Sequence, residues 1–321
     1  MLNLTESAVE LMLQTIIPVF MQMMVLFLIL AMGYVAGKTK VMTIDGNKNL
    51  SLLVNNITNP CNILYSALCT DHALSNREVI ELIGIAVAMY ILLIACAQLI
   101  PRLLKVPRDQ TGQYKFMMIF SNVGYMGIPV VAAIFGQEAV FCVSIFVMVF
   151  YVFIYTYGIY LICGGGLDGR FQWRSLLSPM MVSSFAGIIC YLCNIRVTGV
   201  LEDTLDMVRM VTTPCAMLII GCALSTISLK TVFFNWRLYI VALLKLLVIP
   251  CAAYICLKPI ITNSIVLGAM VTIMAMPIAS NFTMLSAQYD RDQKLAASSV
   301  FITTLLSVLT IPLLAGILNP A

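Results

Sequence analysis

Charged residues are scarce in this chain of 321 residues, and their scarcity excludes a water-soluble domain. Only 10% of the residues are Asp, Glu, Lys or Arg, whereas 61% are hydrophobic and the mean hydropathy is +1.01. Soluble domains carry roughly 25% charged residues. The composition therefore indicates a polytopic membrane protein that has the lipid bilayer as its surroundings.

Histidine is also nearly absent, which argues against most hydrolytic enzymes. The single histidine, His72, lies in a predicted loop, and the chain has no H-E-x-x-H motif and no arrangement that suggests a catalytic triad. The net charge of +4 is spread between apolar segments, unlike the basic patch of a nucleic-acid-binding protein. Most of the 11 cysteines lie in apolar segments, where cysteine acts as a small hydrophobe. We expect no enzymatic activity, no cofactor, no metal site and no nucleic-acid partner.

Apolar runs of about 20 residues predict membrane-spanning helices. We place ten of them, at 14–37, 47–69, 79–104, 113–135, 139–163, 175–195, 204–227, 232–257, 262–288 and 294–318. The second is so polar that hydropathy alone would miss it. It contains Asn55, Asn56, Asn59 and Asn62.

Lysine and arginine residues are distributed unequally between alternate connections of these spans. Of the 18 in the chain, 13 fall on one side and four on the other, while Lys245 lies inside the eighth span. Loops rich in Lys and Arg stay in the cytoplasm. The count predicts a plasma-membrane protein with both termini outside the cytoplasm.

Two patterns predict that the second half of the chain repeats the first in inverted orientation. Thr58–Leu64 matches Thr212–Leu218 at four of seven positions. Three pairs of prolines have similar separations of 154, 149 and 148 residues: Pro60 with Pro214, Pro101 with Pro250, and Pro129 with Pro277. Chance pairing among 12 prolines is the alternative explanation. The predicted units are a first repeat at 1–163, a cytoplasmic linker at 164–174 and a second repeat at 175–321.

Two apolar stretches contain proline beside polar residues, where a membrane helix would otherwise run unbroken. They are SNVGYMGIP at Ser121–Pro129 and MPIASN at Met276–Asn281. Proline breaks or kinks a helix, and broken backbone inside a bilayer is tolerated only where protein or a cavity surrounds it. Two interruptions in corresponding positions of two halves point to the binding site of a transporter. Simple kinks for helix packing are the alternative.

These segments resemble the auxin efflux carrier family, which includes the plant PIN proteins and bacterial malate and malonate permeases. SNVGYMGIPVVAAIFG at Ser121–Gly136 resembles the fourth span of that family. Met274–Asp292 is similar to its ninth span and the following loop, and Asn59-Pro60 to its second span. The resemblance extends over the whole chain.

The resemblance implies an all-α fold of ten helices in two inverted five-helix repeats, with broken helices four and nine crossing at their centres. Members of the family move small organic anions, so it implies a secondary transporter for a carboxylate such as malate, malonate or an auxin-like monocarboxylate. The chain lacks the long central loop of the plant members and so looks bacterial. A ligand-binding sensor of the same fold is the alternative function. The substrate, the coupling ion (H⁺, Na⁺ or none) and the direction of transport stay open.

Ten residues are candidates for substrate binding. They are Asn59, Asn62, Asn122, Gly124, Tyr125, Gly127, Pro129, Pro277, Ser280 and Asn281. Asparagine offers donors to a carboxylate, glycine and proline allow unwound backbone, and the start of a half-helix presents free amides with a positive dipole end. Asn59 and Asn62 share a helix face, although hydrogen bonding between helices would explain them equally well.

Three further features have more than one explanation each. Lys245 is the only charge near the middle of a strongly apolar span, where it would attract the substrate, pair with an acidic or carbonyl group in place of a coupling cation, or extend to a membrane interface. Tyr151, Tyr155 and Tyr157 would line a cavity or pack. Gly33-x-x-x-Gly37 would support a homodimer or be an incidental match.

Overall fold

The structure is built almost entirely of helices. The computed structural model describes residues 2–69, 76–164, 179–226 and 233–318, and within them the one element besides helices is an isolated antiparallel bridge. His72 lies outside the described residues, as does the predicted linker apart from Gly164.

The helices are numbered here by continuous run. Those before residue 165 are α1 (Leu2–Lys38), α2 (44–68), α3 (Asn76–Ala97), α4 (Ile100–Leu103), α5 (Thr111–Ile119), α6 (Val123–Phe135) and α7 (137–162). Those after residue 178 are α8 (Pro179–Leu192), α9 (Val200–Met210), α10 (Thr212–Ser225), α11 (Trp236–Leu257), α12 (Ser264–Met274), α13 (Asn281–Gln288) and α14 (Gln293–Leu318).

Within the described residues, six stretches of helix are long and apolar enough to cross a bilayer. They are Ile17–Lys38, Arg77–Leu103, Cys142–Ile162, Val200–Ser225, Trp236–Leu257 and Gln293–Gly316. Helices α6 and α12 are apolar but shorter, and α2, with its six asparagines, is not among the six. An all-helical chain with several such helices has the architecture of a polytopic membrane protein, which the composition predicts.

Widened helical turns precede three of the prolines. Residues Val54–Thr58, Val123–Gly127 and Leu244–Val248 form π-helical turns, each ending two residues before a proline. In each case the next amide donates to the carbonyl five residues earlier. Proline has no amide for the carbonyl four residues before it, so the wider register lets the helix continue where an α-helix would break.

Glycines bring α1 and α10 into close contact. A Cβ atom on Gly33 would run into the backbone of Leu218, and one on Gly221 would run into the backbone of Leu30. Gly37 of α1 faces Ser225, which also belongs to α10. The Gly33-x-x-x-Gly37 motif is therefore used for a contact inside one chain, and it gives no support to the predicted dimer.

The interrupted segments lie in the most enclosed part of the molecule. Residues 116–127 and 268–286 are buried without a break, and α7 packs against α3, α6, α8 and α12 beside them. Helix α2 packs against α8, α9 and α10. Surrounding protein thus replaces lipid wherever the helical backbone is interrupted, as a membrane interior requires.

Candidate functional site

Two interrupted helices cross at their breaks and pair with each other. Helix α5 ends at Ile119, α6 begins at Val123, and between them Ser121 pairs antiparallel with Ile278 from the gap between α12 and α13. The Asn122 amide donates to the Pro277 carbonyl at 2.7 Å, and the Ala279 amide donates to the Phe120 carbonyl at 3.0 Å. Each break therefore satisfies backbone groups that the other has freed.

The breaks coincide with Ser-Asn dipeptides rather than with equivalent prolines. Ser121-Asn122 leads into α6, and Ser280-Asn281 leads into α13. Pro277 lies in the second break, whereas Pro129 lies inside α6 after its π-helical turn. Pairing between the two extended segments, and not Pro129, accounts for the position of the first break.

Side chains reinforce the crossing. Asn122 Nδ2 donates to Ser280 Oγ at 2.9 Å, and the Ile278 amide donates to Thr303 Oγ1 of α14 at 3.2 Å. Asn122, Ser280 and Asn281 are all buried. This arrangement places the first turns of α6 and α13 next to each other.

A chain of hydrogen bonds connects α7 with α6 through Asn59 of α2. Tyr151 Oη donates to Asn59 Oδ1 at 3.2 Å, and Asn59 Nδ2 donates to the Tyr125 hydroxyl. All three side chains are buried. The predicted residues Asn59 and Tyr125 are thus brought together, and Tyr151 is added to them.

A second chain connects α13 with α2, here through Tyr155 of α7. Asn281 Nδ2 donates to Tyr155 Oη at 3.3 Å, and Tyr155 Oη donates to Asn55 Oδ1 at 3.1 Å. The rings of Tyr151 and Tyr155 stack with centroids 6.1 Å apart, which places the two chains side by side. The Asn55 Nδ2 and Ser121 Oγ atoms are buried without a protein partner.

Gly124 is a site of close approach between α6 and α7. A Cβ atom there would lie 2.8 Å from Tyr151 Oη, so a larger residue would displace the hydroxyl group. At Gly127 the nearest atom to such a Cβ, Ile273 Cγ2, is at 3.4 Å. Of the two predicted glycines, Gly124 is the one that the packing requires.

Pro129 leaves one backbone carbonyl group of the site without its helical hydrogen-bond donor. The Tyr125 carbonyl lies four residues before Pro129, which has no amide to donate to it. Thr213 Oγ1 of α10 donates to that carbonyl at 3.4 Å. A residue of the Thr-Thr-Pro-Cys segment thereby reaches the first crossing helix.

Not all predicted residues join this network. Asn62 is half-buried and takes no part in it, and Tyr157 instead accepts a hydrogen bond from Gln98 Nε2 at 3.2 Å. Lys245 is buried outside this network, and its ammonium donates to the Met118 carbonyl near the end of α5 at 2.8 Å. Its exposed fraction of 0% rules out the interpretation that it extends to a membrane interface.

Sequence reasoning left Asn55 and Thr213 out of the candidate set and left the role of Tyr151 and Tyr155 open. Asn55 precedes Asn59 by four residues, and Tyr151 precedes Tyr155 by four, so helical spacing places each pair on one face. That spacing makes Asn55 as strong a candidate as Asn62. Nothing in the local sequence around Thr213 indicates its partner, because the contact joins residues 88 positions apart.

The network consists of neutral amide and hydroxyl groups. Among the described side chains, Lys245 is buried but no Asp, Glu or His is, and the described residues contain no group of three or more His, Cys, Asp or Glu that would hold a metal ion. Amide groups and hydroxyls at two adjacent half-helix starts are suited to holding a polar or anionic ligand. They are not arranged for acid–base or nucleophilic chemistry.

An all-helical chain with several bilayer-length helices and two broken helices at its buried centre has the features of a membrane transporter. The comparisons with known proteins agree. The chain belongs to a family described as "Membrane transport protein", whose sequence profile matches residues 18–170 and 167–315. This match confirms the resemblance to the auxin efflux carrier family.

Two relatives are also named as transporters. An uncharacterized transporter of Methanocaldococcus jannaschii is 25% identical over 315 residues, which are 94% of this chain and 99% of the relative. A protein of Rhizobium meliloti, provisionally named a malonate transporter, is 28% identical over 144 residues, 43% of each chain. Family and relatives are transporters rather than enzymes, as the sequence predicts, and they indicate a small-molecule substrate and a membrane location.

Proposed function

We propose that this protein is a secondary transporter for a small organic anion, a carboxylate such as malate, malonate or an auxin-like monocarboxylate. The observation that carries the proposal is the pairing of two broken helices, which sets the starts of α6 and α13 side by side. Each helix start carries roughly half a positive charge from its aligned peptide dipoles. Two of them at one buried place attract a carboxylate without requiring a charged side chain.

Polar groups around the crossing supply the remaining contacts in this proposal. Asn281, Tyr125 and Asn59 would contact the substrate directly, whereas Asn122 and Ser280 would hold the two breaks in register. The buried Asn55 Nδ2 and Ser121 Oγ have no protein partner. Leaving such groups unsatisfied costs about 1–3 kcal/mol each, so a carboxylate that accepts from them would bind with a corresponding gain.

We also propose the finer architecture that the family resemblance implies. Ten spans would form two inverted repeats at 1–163 and 175–321, joined by the linker at 164–174, with both termini outside a bacterial plasma membrane. The matching Ser-Asn dipeptides and the excess of Lys and Arg in alternate connections support this arrangement. Movement of one bundle against the other would then expose the crossing to each side in turn.

The helices would have to move during transport, because the polar side chains of the network are buried and bonded to one another in this structure. Tyr151, Tyr155, Asn59 and Asn281 are each at most 4% exposed, and they hydrogen-bond to one another. A substrate would replace these bonds between side chains with bonds to its own oxygens. We therefore expect the contacts between α2 and the broken helices to exchange during each transport cycle.

The test uses purified protein in proteoliposomes with a panel of radiolabelled mono- and dicarboxylates, in sodium and in choline media. Asn122→Ala and Asn281→Ala should each lower uptake by about tenfold or more, since losing a buried hydrogen-bond partner costs about 1–3 kcal/mol. Asn56→Ala is the control, because Asn56 is exposed on the same helix as Asn59. Undiminished uptake by both crossing variants would refute the site, and ligand binding without any uptake would favour the sensor function.

A further inference from the structure

The first half-helix ends with carbonyl groups that the break deprives of their helical partners. In a continuous helix the Met118 carbonyl would accept from the amide of Asn122, four residues later. That amide donates to the Pro277 carbonyl instead, and the Val123 amide, the expected partner of Ile119, donates to Ser121. The end of α5 is therefore a buried concentration of negative partial charge.

Lys245 brings its side-chain amino group to this place. It lies in the π-helical turn Leu244–Val248 of α11, is 0% exposed, and its Nζ atom is 2.8 Å from the Met118 carbonyl oxygen. No Asp or Glu is buried among the described side chains, so the ammonium has no buried acidic counter-ion in this part of the chain. A buried ammonium without a counter-ion is costly unless a dipole or carbonyl group stabilises it.

Basic residues meet the ends of two other helical segments in the same way. Arg237 Nε donates to the Leu104 carbonyl at 3.0 Å, after α4, and Arg291 Nη2 donates to the Cys163 carbonyl at 2.7 Å, after α7. Those contacts lie at exposed or half-buried ends, where water would otherwise satisfy the carbonyls. Lys245 makes the equivalent contact in the buried centre, where water is not a substitute.

We propose that Lys245 is a tethered cation of the crossing: its ammonium group caps the carbonyl end of α5 and so takes the place of a free cation there. The part of this inference that is tested by carboxylate uptake rests on the proposed transport function. The part that is tested by thermal unfolding does not depend on that function. As a positioning residue, Lys245 keeps α5 and the extended segment 120–122 in the geometry that pairs with the second break.

An apolar groove lies beside this place. It has a volume of about 250 Å³ and is lined by Leu244 and Val248, which flank Lys245, and by Met118, whose carbonyl Lys245 binds. Removing the lysine side chain would leave space next to that groove. A small alkylammonium ion, which has an apolar tail and a positive head, fits both the groove and the carbonyl end.

The experiment compares Lys245→Ala with Lys245→Met, using propylammonium chloride as the probe and choline chloride at equal ionic strength as the reference. Thermal unfolding of the purified proteins in detergent is the first readout, and carboxylate uptake in proteoliposomes is the second. Lys245→Ala should unfold at least about 4 °C below the wild type, and propylammonium should restore most of that difference by mass action. Lys245→Met fills the space without a charge, so its uptake should fall tenfold or more and propylammonium should not restore it.

The results separate this inference from the proposed function. A Lys245→Met variant with wild-type uptake would overturn the tethered cation, and so would a destabilised Lys245→Ala variant that propylammonium fails to stabilise. If the wild type transports no carboxylate at all, the proposed function fails while the thermal comparison still decides the role of Lys245. Lys258→Ala is the control for general effects of charge, because Lys258 is exposed at the end of the same helix.

Discussion

Replacing Gly124 by alanine tests whether the contact between α6 and α7 is as tight as the structure indicates. An ideal Cβ atom at this position would lie 2.8 Å from Tyr151 Oη and 3.7 Å from Cζ of the same ring. Tyr151 is fully buried and its hydroxyl donates to Asn59, so the ring has no free space into which it can withdraw. We expect the methyl group to displace the tyrosine and to break its hydrogen bond.

The magnitude follows from three contributions. Overpacking of a buried contact costs about 1–3 kcal/mol, and loss of one hydrogen bond costs about 1 kcal/mol. Alanine gains back about 0.5–1 kcal/mol over glycine in a helix. The net loss of about 1–3 kcal/mol should lower the Tm of the purified protein by a few degrees and reduce carboxylate uptake.

Two companion variants make the test specific. Gly127→Ala places its methyl group 3.4 Å from the nearest atom, so it should be neutral or slightly stabilising. Tyr151→Phe removes the hydroxyl group with which the added methyl group of Gly124→Ala would clash. The double variant should therefore be no less stable than Tyr151→Phe alone, which is a coupling that a double-mutant cycle measures directly. Equal Tm values for the two glycine variants, or strictly additive losses in the cycle, would refute the reasoning.

The remaining predictions each remove a single hydroxyl group. The control in each case is a residue of the same type whose buried hydroxyl group has no protein partner. Thr213→Val should lower stability by about 1 kcal/mol, because the Tyr125 carbonyl loses its donor, whereas Thr212→Val should be neutral or stabilising in thermal unfolding. Tyr155→Phe should reduce uptake about tenfold by opening the link between α13 and α2, and Tyr90→Phe, which removes a buried unpaired hydroxyl, should leave uptake unchanged. Loss of uptake by both tyrosine variants alike would mean that packing, and not the hydrogen bond, explains the effect.

Two expectations from the sequence met different outcomes in the structure. The Gly33-x-x-x-Gly37 motif was a candidate for a dimer contact, but α10 of the same chain occupies it. The motif predicts a close contact between helices but does not indicate which helix is the partner. Only the folded structure identifies that helix. The spacing of three residues predicts Asn62 beside Asn59 on one helix face. In the structure it is Asn55, four residues before Asn59, whose side chain joins the network.

The proline positions illustrate the same limit. The sequence around Pro129 predicts an interruption, and an interruption exists nearby, but its centre is at Ser121. Pro129 itself is accommodated by a π-helical turn, which costs the helix little and frees one carbonyl for Thr213. The break lies where the first segment finds backbone partners in the second, a choice that depends on residues more than 150 positions away.

By itself, the sequence determined that this is a helical membrane protein of a transporter family and that two polar, interrupted segments are its most informative regions. Those conclusions depend on composition and on local patterns, which burial in a bilayer makes unusually restrictive. The tertiary structure decided which polar groups meet: Asn59 with Tyr125, Asn281 with Tyr155, and Lys245 with the Met118 carbonyl. Hydrogen bonds between distant segments require positions in space, and no spacing along the chain encodes them.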